Sequence, residues 1–84
     1  MKVATVSSGC ECEARLFAEL DERKVVLRGW AKDPRRGREL TAPANTVHAR
    51  AGQFDVGWMC PWCTRNVLRS FDESSMVVRD IPAA

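Results

Sequence analysis

Two close pairs of cysteines, Cys10-Glu11-Cys12 and Cys60-Pro61-Trp62-Cys63, constrain this chain more than any other feature. The sequence has 84 residues, room for one domain spanning 1–84. A domain this short buries a modest core, and such chains commonly add a disulfide framework or a bound metal as a staple. What the four cysteines do therefore largely decides what the chain can fold into.

The choice between disulfides and a metal follows from compartment. Ser8-Gly9-Cys10 superficially resembles the small-residue site before a bacterial lipoprotein cysteine. A secretion signal also needs an apolar core of about 7–15 residues, and only Val3-Ala4-Thr5-Val6 is available here. No apolar run approaches the roughly 18 residues of a spanning helix. With 45% hydrophobic and 29% charged residues, the composition suggests neither a disordered chain nor a membrane protein. The expectation is a cytoplasmic, reducing location, where four cysteines read as metal ligands or catalytic thiols before disulfides.

A C-x-x-C turn aims two thiolates at one point, as a tetrahedral zinc ion with Zn–S bonds of about 2.3 Å requires. Pro61 pre-sets the backbone for such a turn. C-x-C is less usual, because alternate residues of a straight strand lie about 6.6 Å apart. The chain must bend at Cys10–Cys12, and Gly9 is the residue that would permit it. Cys10, Cys12, Cys60 and Cys63 complete a tetrahedron and leave no position for water, so one structural Zn2+ is expected rather than a catalytic one. His48, the only histidine, is far from both pairs in sequence and is expected to stay outside the ligand set. One histidine and no supporting motif give no nucleophile–base constellation, so no enzyme is read from the chain.

Periodicity predicts a β-rich fold. Ala14, Leu16, Ala18 and Leu20 alternate with Glu13, Arg15, Phe17 and Glu19, the period of a half-buried strand. After the polar break Asp21–Lys24, Val25–Ala31 reads as a second strand of the same hairpin. Lys32–Ala44, with Pro34, Gly37 and Pro43, reads as a basic loop. Asn45–Arg50 and Phe54–Cys60 read as strands around a turn at Ala51-Gly52-Gln53. Asn66–Phe71 fits one helix turn or a strand, Met76–Val78 suggests a last strand, and Pro82 marks a frayed end. The expected architecture is a small antiparallel β domain stapled by zinc.

The segment Phe54-Asp55-Val56-Gly57-Trp58-Met59-Cys60-Pro61-Trp62-Cys63 resembles the second cysteine turn of zinc-ribbon domains, where a strand with an aromatic residue enters a C-P-x-C knuckle. The resemblance covers about ten residues, together with Cys10 and Cys12 by number and kind, and implies four thiolates on one zinc with a small antiparallel sheet attached. The chain departs from it in its C-x-C first pair and in Thr64, where many ribbons place glycine. Cys-Pro-Trp-Cys is also similar to the C-P-x-C active site of glutaredoxins, where a helix follows the motif and the first cysteine is the nucleophile. Residues 64–84 are too few for the βαββα remainder of that fold, and Cys10 and Cys12 would have no role in it.

Charge and aromatics supply the candidate partner surfaces. Seven basic residues and one acid give Arg23–Arg38 a net +6, while six basic and ten acidic residues give the rest −4. Arg28, Trp30, Lys32, Arg35, Arg36 and Arg38 would make a nucleic-acid surface by phosphate neutralisation and base stacking. The same run also reads as a solvated loop, with Trp30 in the core. Trp58 is expected beneath the cysteine turn. Trp62, inside it, is expected to be exposed, as a protein-binding anchor or as a shield for the sulfurs. The reading is a non-enzymatic zinc-binding module that docks on a protein. The alternatives are a nucleic-acid-binding ribbon using residues 23–38 and a thiol oxidoreductase at Cys60 and Cys63.

Overall fold

The computed structural model describes residues 2–76 and 78–80. The described residues form eight strands in chain order: β1 (Lys2–Gly9), β2 (Arg15–Leu20), β3 (Val26–Lys32), β4 (Glu39–Thr41), β5 (Ala44–Arg50), β6 (Gln53–Met59), β7 (Asn66–Asp72) and β8 (Val78–Asp80), with a 3-10 turn at Glu73–Ser75. They form two antiparallel sheets rather than one. Sheet A has the order β4-β3-β2-β1-β8, and sheet B the order β5-β6-β7. Among the described residues no helix is long and apolar enough to cross a membrane.

Period-two patterning builds the core between the sheets. Ala14, Leu16, Ala18 and Leu20 are buried, as their alternation predicts, and the last three sit across from Ser8, Val6 and Ala4 of β1 and Ala31, Gly29 and Val26 of β3. Sheet B answers with Phe54, Val56 and Trp58 from β6. Burying side chains of this size contributes roughly 1.5–3 kcal/mol each, before the entropic cost of ordering them. The indole Nε1 of Trp58 reaches across and donates to the carbonyl of Phe17 at 3.0 Å, so the largest core residue also ties the sheets by a hydrogen bond.

The structure corrects or completes the sequence expectation in four segments. Residues Lys2–Gly9, to which the sequence reading assigns no element, form a strand paired on both sides, with β2 and with β8. The basic loop at 32–44 contains β4, which pairs Thr41 with Trp30 and Glu39 with Lys32. Asn66–Phe71 resolves as strand: Phe71 pairs with Phe54 and Val67 with Trp58, so β6 supplies the template that local propensity lacks. The last described strand is Val78–Asp80, Met76 lies outside it, and Val77 and Pro82 lie outside the described residues.

The chain passes from sheet A to sheet B over Gly29. The Ala42 N–H donates to the Gly29 carbonyl at 3.0 Å. A β-carbon at position 29 would lie 2.3 Å from the Ala42 carbonyl oxygen and 2.9 Å from the Ala44 β-carbon. Glycine is therefore required by close backbone approach, not by a turn. This crossing sends the second half of the chain over the first and brings the β6–β7 connection beside the β1–β2 connection.

Candidate metal centre

Both cysteine pairs occupy hairpin loops. In the β1–β2 loop the Cys10 N–H donates to Ala14 O and the Glu13 N–H to Cys10 O, each at 2.9 Å. That closes a three-residue loop, Glu11-Cys12-Glu13, whose last residue is left-handed, with Glu13 at φ 76°. In the β6–β7 loop the Cys60 N–H donates to Arg65 O at 3.0 Å and the Thr64 N–H to Cys60 O at 2.9 Å. There the left-handed residue is Thr64, at φ 61°. In each loop the first cysteine immediately follows a strand and the second immediately precedes the left-handed residue. The one-residue difference between C-x-C and C-x-x-C is thus the difference between a three- and a four-residue hairpin loop. The bend expected from Gly9 is supplied by Glu13 instead. Gly9 stays in β1 opposite Arg15.

The four Sγ atoms lie within 4.8 Å of one another and could hold a metal ion. Two contacts run between the loops: Cys10 to Cys63 at 3.3 Å and Cys12 to Cys60 at 3.6 Å. Four Zn–S bonds of about 2.3 Å at tetrahedral angles would set the sulfurs roughly 3.8 Å apart, so the donor set fits such an ion in number, kind and spacing. All four cysteines are free thiols. Cys10 and Cys60 are buried, Cys63 is half-buried and Cys12 is exposed. His48 lies in β5, and its side chain is outside those described.

Crowding spreads the thiol acidities. At Cys60 burial acts upward, but the backbone N–H groups of Cys63 and Trp62 and the neighbouring sulfurs prevail and lower the pKa from the ordinary 9.0 to about 7. At Cys12 the Ala14 N–H acts downward, yet desolvation and the other three sulfurs outweigh it and push the pKa up to about 12. Cys63 is also raised: the Arg65 N–H lowers it, but the Cys10 sulfur and desolvation prevail. One sulfur is thus prepared as a thiolate, while two hold protons that a cation would displace.

Around the sulfurs, Arg65 pairs with Glu11 and joins the tips of the two loops. Arg35 Nη2 lies 3.1 Å from Glu13 and holds the β3–β4 connection against the first loop. Neither acid was singled out from sequence, because their roles follow from the loop-to-loop approach alone. Trp58 packs beneath the cluster, as expected. Trp62 does not stand free: it is half-buried and packs against the core.

The other candidate residues separate into two groups. Trp62, Arg35 and Arg36 line one cleft of about 320 Å³ with Cys12, Ala14, Asp33 and Pro34. Arg28, Trp30 and Lys32 stand instead on the outward face of β3, so Trp30 is not a core residue. Arg38 is exposed at the end of the β3–β4 connection, where its carbonyl accepts from the Asp33 N–H at 2.8 Å. Comparison with protein-family models, with curated proteins and with solved structures gives no match.

Proposed function

We propose that the chain is a non-enzymatic binding module whose two sheets are clipped together by one structural zinc ion on Cys10, Cys12, Cys60 and Cys63, a β domain of zinc-ribbon type. The observation that carries this reading is that four Sγ atoms, two from each loop, all lie within 4.8 Å of one another, with contacts of 3.3 and 3.6 Å running between the loops. A shared ion calls for that pattern. A dithiol working alone would need only Cys60 and Cys63 and would leave Cys10 and Cys12 without a role. Four thiolates leave no open coordination position, which supports a structural over a catalytic ion. The protein is expected in a reducing, cytoplasmic setting, where such thiolates persist.

A protein is the favoured partner because sheet B exposes apolar side chains outward. Met59 is 47% and Leu68 59% accessible, and both stand beside Val47 and Gly57 around a shallow depression. Isolated exposed apolar residues are ordinary, but a cluster on one face marks a docking surface. The thiol-oxidoreductase reading draws on the lowered Cys60 pKa. Against it, strand β7 and not a helix follows Cys63, so no helix N-terminus is available to activate the thiolate.

Metal content and thiol count of the native protein test the reading. The expected result is one zinc per chain, with four thiols reacting only after chelation. A metal-free protein with a Cys60–Cys63 disulfide, or one that turns over a dithiol substrate and loses that activity in Cys60→Ser, contradicts it.

A further inference from the structure

The outward face of sheet A carries an arrangement that neither the metal centre nor the apolar surface of sheet B uses. β2 and β3 pair so that Phe17 faces Trp30, Arg15 faces Lys32 and Glu19 faces Arg28. These six side chains stand on the side away from the core, because the alternating Leu16, Ala18 and Ala31 are fully buried. Phe17 and Trp30 stack with centroids 5.5 Å apart and planes 14° apart. The Arg28 guanidinium lies 4.2 Å over the Trp30 ring. Two aromatic rings and a guanidinium thus form one column on a solvent-facing sheet.

Cations flank that column at one end along the strands, and Arg28, opposite Glu19, closes the other. Arg15 and Lys32 are like charges directly opposite each other, which weakens a strand pair unless something anionic lies across them. Among the described residues neither makes an ion pair, nor does Arg28; the ion pairs fall instead to Lys24, Arg35, Arg50 and Arg65. Glu39 and Glu19 sit opposite Lys32 and Arg28 without closing on them. One residue beyond the Arg15–Lys32 pair, Ala14 and Asp33 enter the cleft lined by Arg36 and Trp62. Cationic and aromatic groups therefore continue from the sheet face towards the metal end of the molecule.

We infer that this face binds single-stranded nucleic acid, with bases stacking on the Phe17–Trp30–Arg28 column and phosphates lying on Arg15, Lys32 and the free edge of Arg28. Stacking accepts any base, and unpaired bases alone expose the ring faces it needs. A duplex hides those faces, and a flat sheet presents no element to a groove. The inference concerns a surface separate from the proposed zinc centre and relies on that centre only to hold the fold.

The test is fluorescence anisotropy of a labelled oligothymidylate of about 12 nucleotides with the zinc-loaded full chain, at about 50 and about 200 mM salt. With three phosphate contacts the slope of log K against log salt is expected near −2, on about 0.7 per phosphate. Lys32→Gln and Arg28→Gln, both at exposed positions, should each weaken binding several-fold and flatten that slope by about 0.7. Trp30→Ala should weaken it roughly 5- to 100-fold, and Trp30→Phe should restore most of the loss. Arg50→Gln, an equal charge change on sheet B, should leave binding unchanged.

Zinc content and circular dichroism of each variant separate a lost surface from a lost fold. No binding by the zinc-loaded chain at low salt overturns the inference. So does equal weakening by Arg50→Gln and Lys32→Gln, or a duplex of the same length competing as well as the single strand. A chain that carries zinc but ignores the oligonucleotide refutes this inference alone. A chain that carries no zinc refutes the metal reading, whatever the oligonucleotide does.

Discussion

The sulfurs of Cys10 and Cys63 lie 3.3 Å apart although 53 residues separate them in sequence. No local preference produces that contact. It is the sum of two hairpin loops that each hold a cysteine pair, and of a chain crossing at Gly29 that lays the second hairpin beside the first. The cysteine cluster and the two-sheet core are therefore one structural problem, and changes at either are expected to register at the other.

Zinc affinity should depend steeply on pH, in a direction set by the thiols. Cys12 and Cys63 have raised pKa values, so at neutral pH both carry protons that zinc must displace. Cys60, lowered to about 7, has largely given up its proton above that pH and must lose it too below it. Its folded pKa lies under its unfolded value, so its contribution to stability is present above pH 9.0 and fades as pH falls through about 7. Acid thus works against the bound form. With at least two protons displaced, affinity should fall at least about 100-fold per pH unit on acidification. Competition against a chelator of known proton linkage at several pH values measures this, and a flat profile would contradict the thiolate assignment.

Gly29→Ala should destabilise the zinc-loaded protein by roughly 1–3 kcal/mol, towards the upper end. The added methyl meets the Ala42 carbonyl oxygen at 2.3 Å, and backbone cannot swing aside as a side chain would. A urea midpoint lowered at unchanged slope is the expected readout. Because the crossing positions the second cysteine loop, weaker zinc retention should accompany it. An unchanged midpoint would mean that the crossing strands yield freely.

Thr64→Gly should stabilise the protein, against the usual effect of adding glycine. Thr64 is β-branched and held at φ 61°, a conformation that costs a non-glycine residue on the order of 1–3 kcal/mol. Allowing for the extra chain entropy glycine loses, the net gain should be about 0.5–1 kcal/mol. Gly52→Ala, at φ 78°, is the matched opposite and should destabilise. Thermal melts of the zinc-loaded variants give both signs.

The residues that made the fold legible are those whose pattern is local. Leu16, Ala18 and Leu20 alternate over one strand, and their burial follows from period two alone. The cysteine turns were legible in residue type but not in geometry, because the left-handed positions carry Glu13 and Thr64 in place of the glycine that signals them. β1 escaped notice because its inward set, Ala4, Val6 and Ser8, is small and partly polar, and its partners lie on both sides in space. β4 is three residues inside a charged loop and exists by pairing with β3. Phe17 looked like an incidental aromatic on the polar face of its strand until the register set it against Trp30.

The central claim is that four thiolates from two loops share one zinc ion. X-ray absorption at the zinc edge of the protein purified without added metal tests it most directly. The account predicts a single shell of four sulfur scatterers at about 2.3 Å. A shell containing nitrogen or oxygen, or a protein without zinc whose sulfurs are joined at about 2.05 Å, would contradict it.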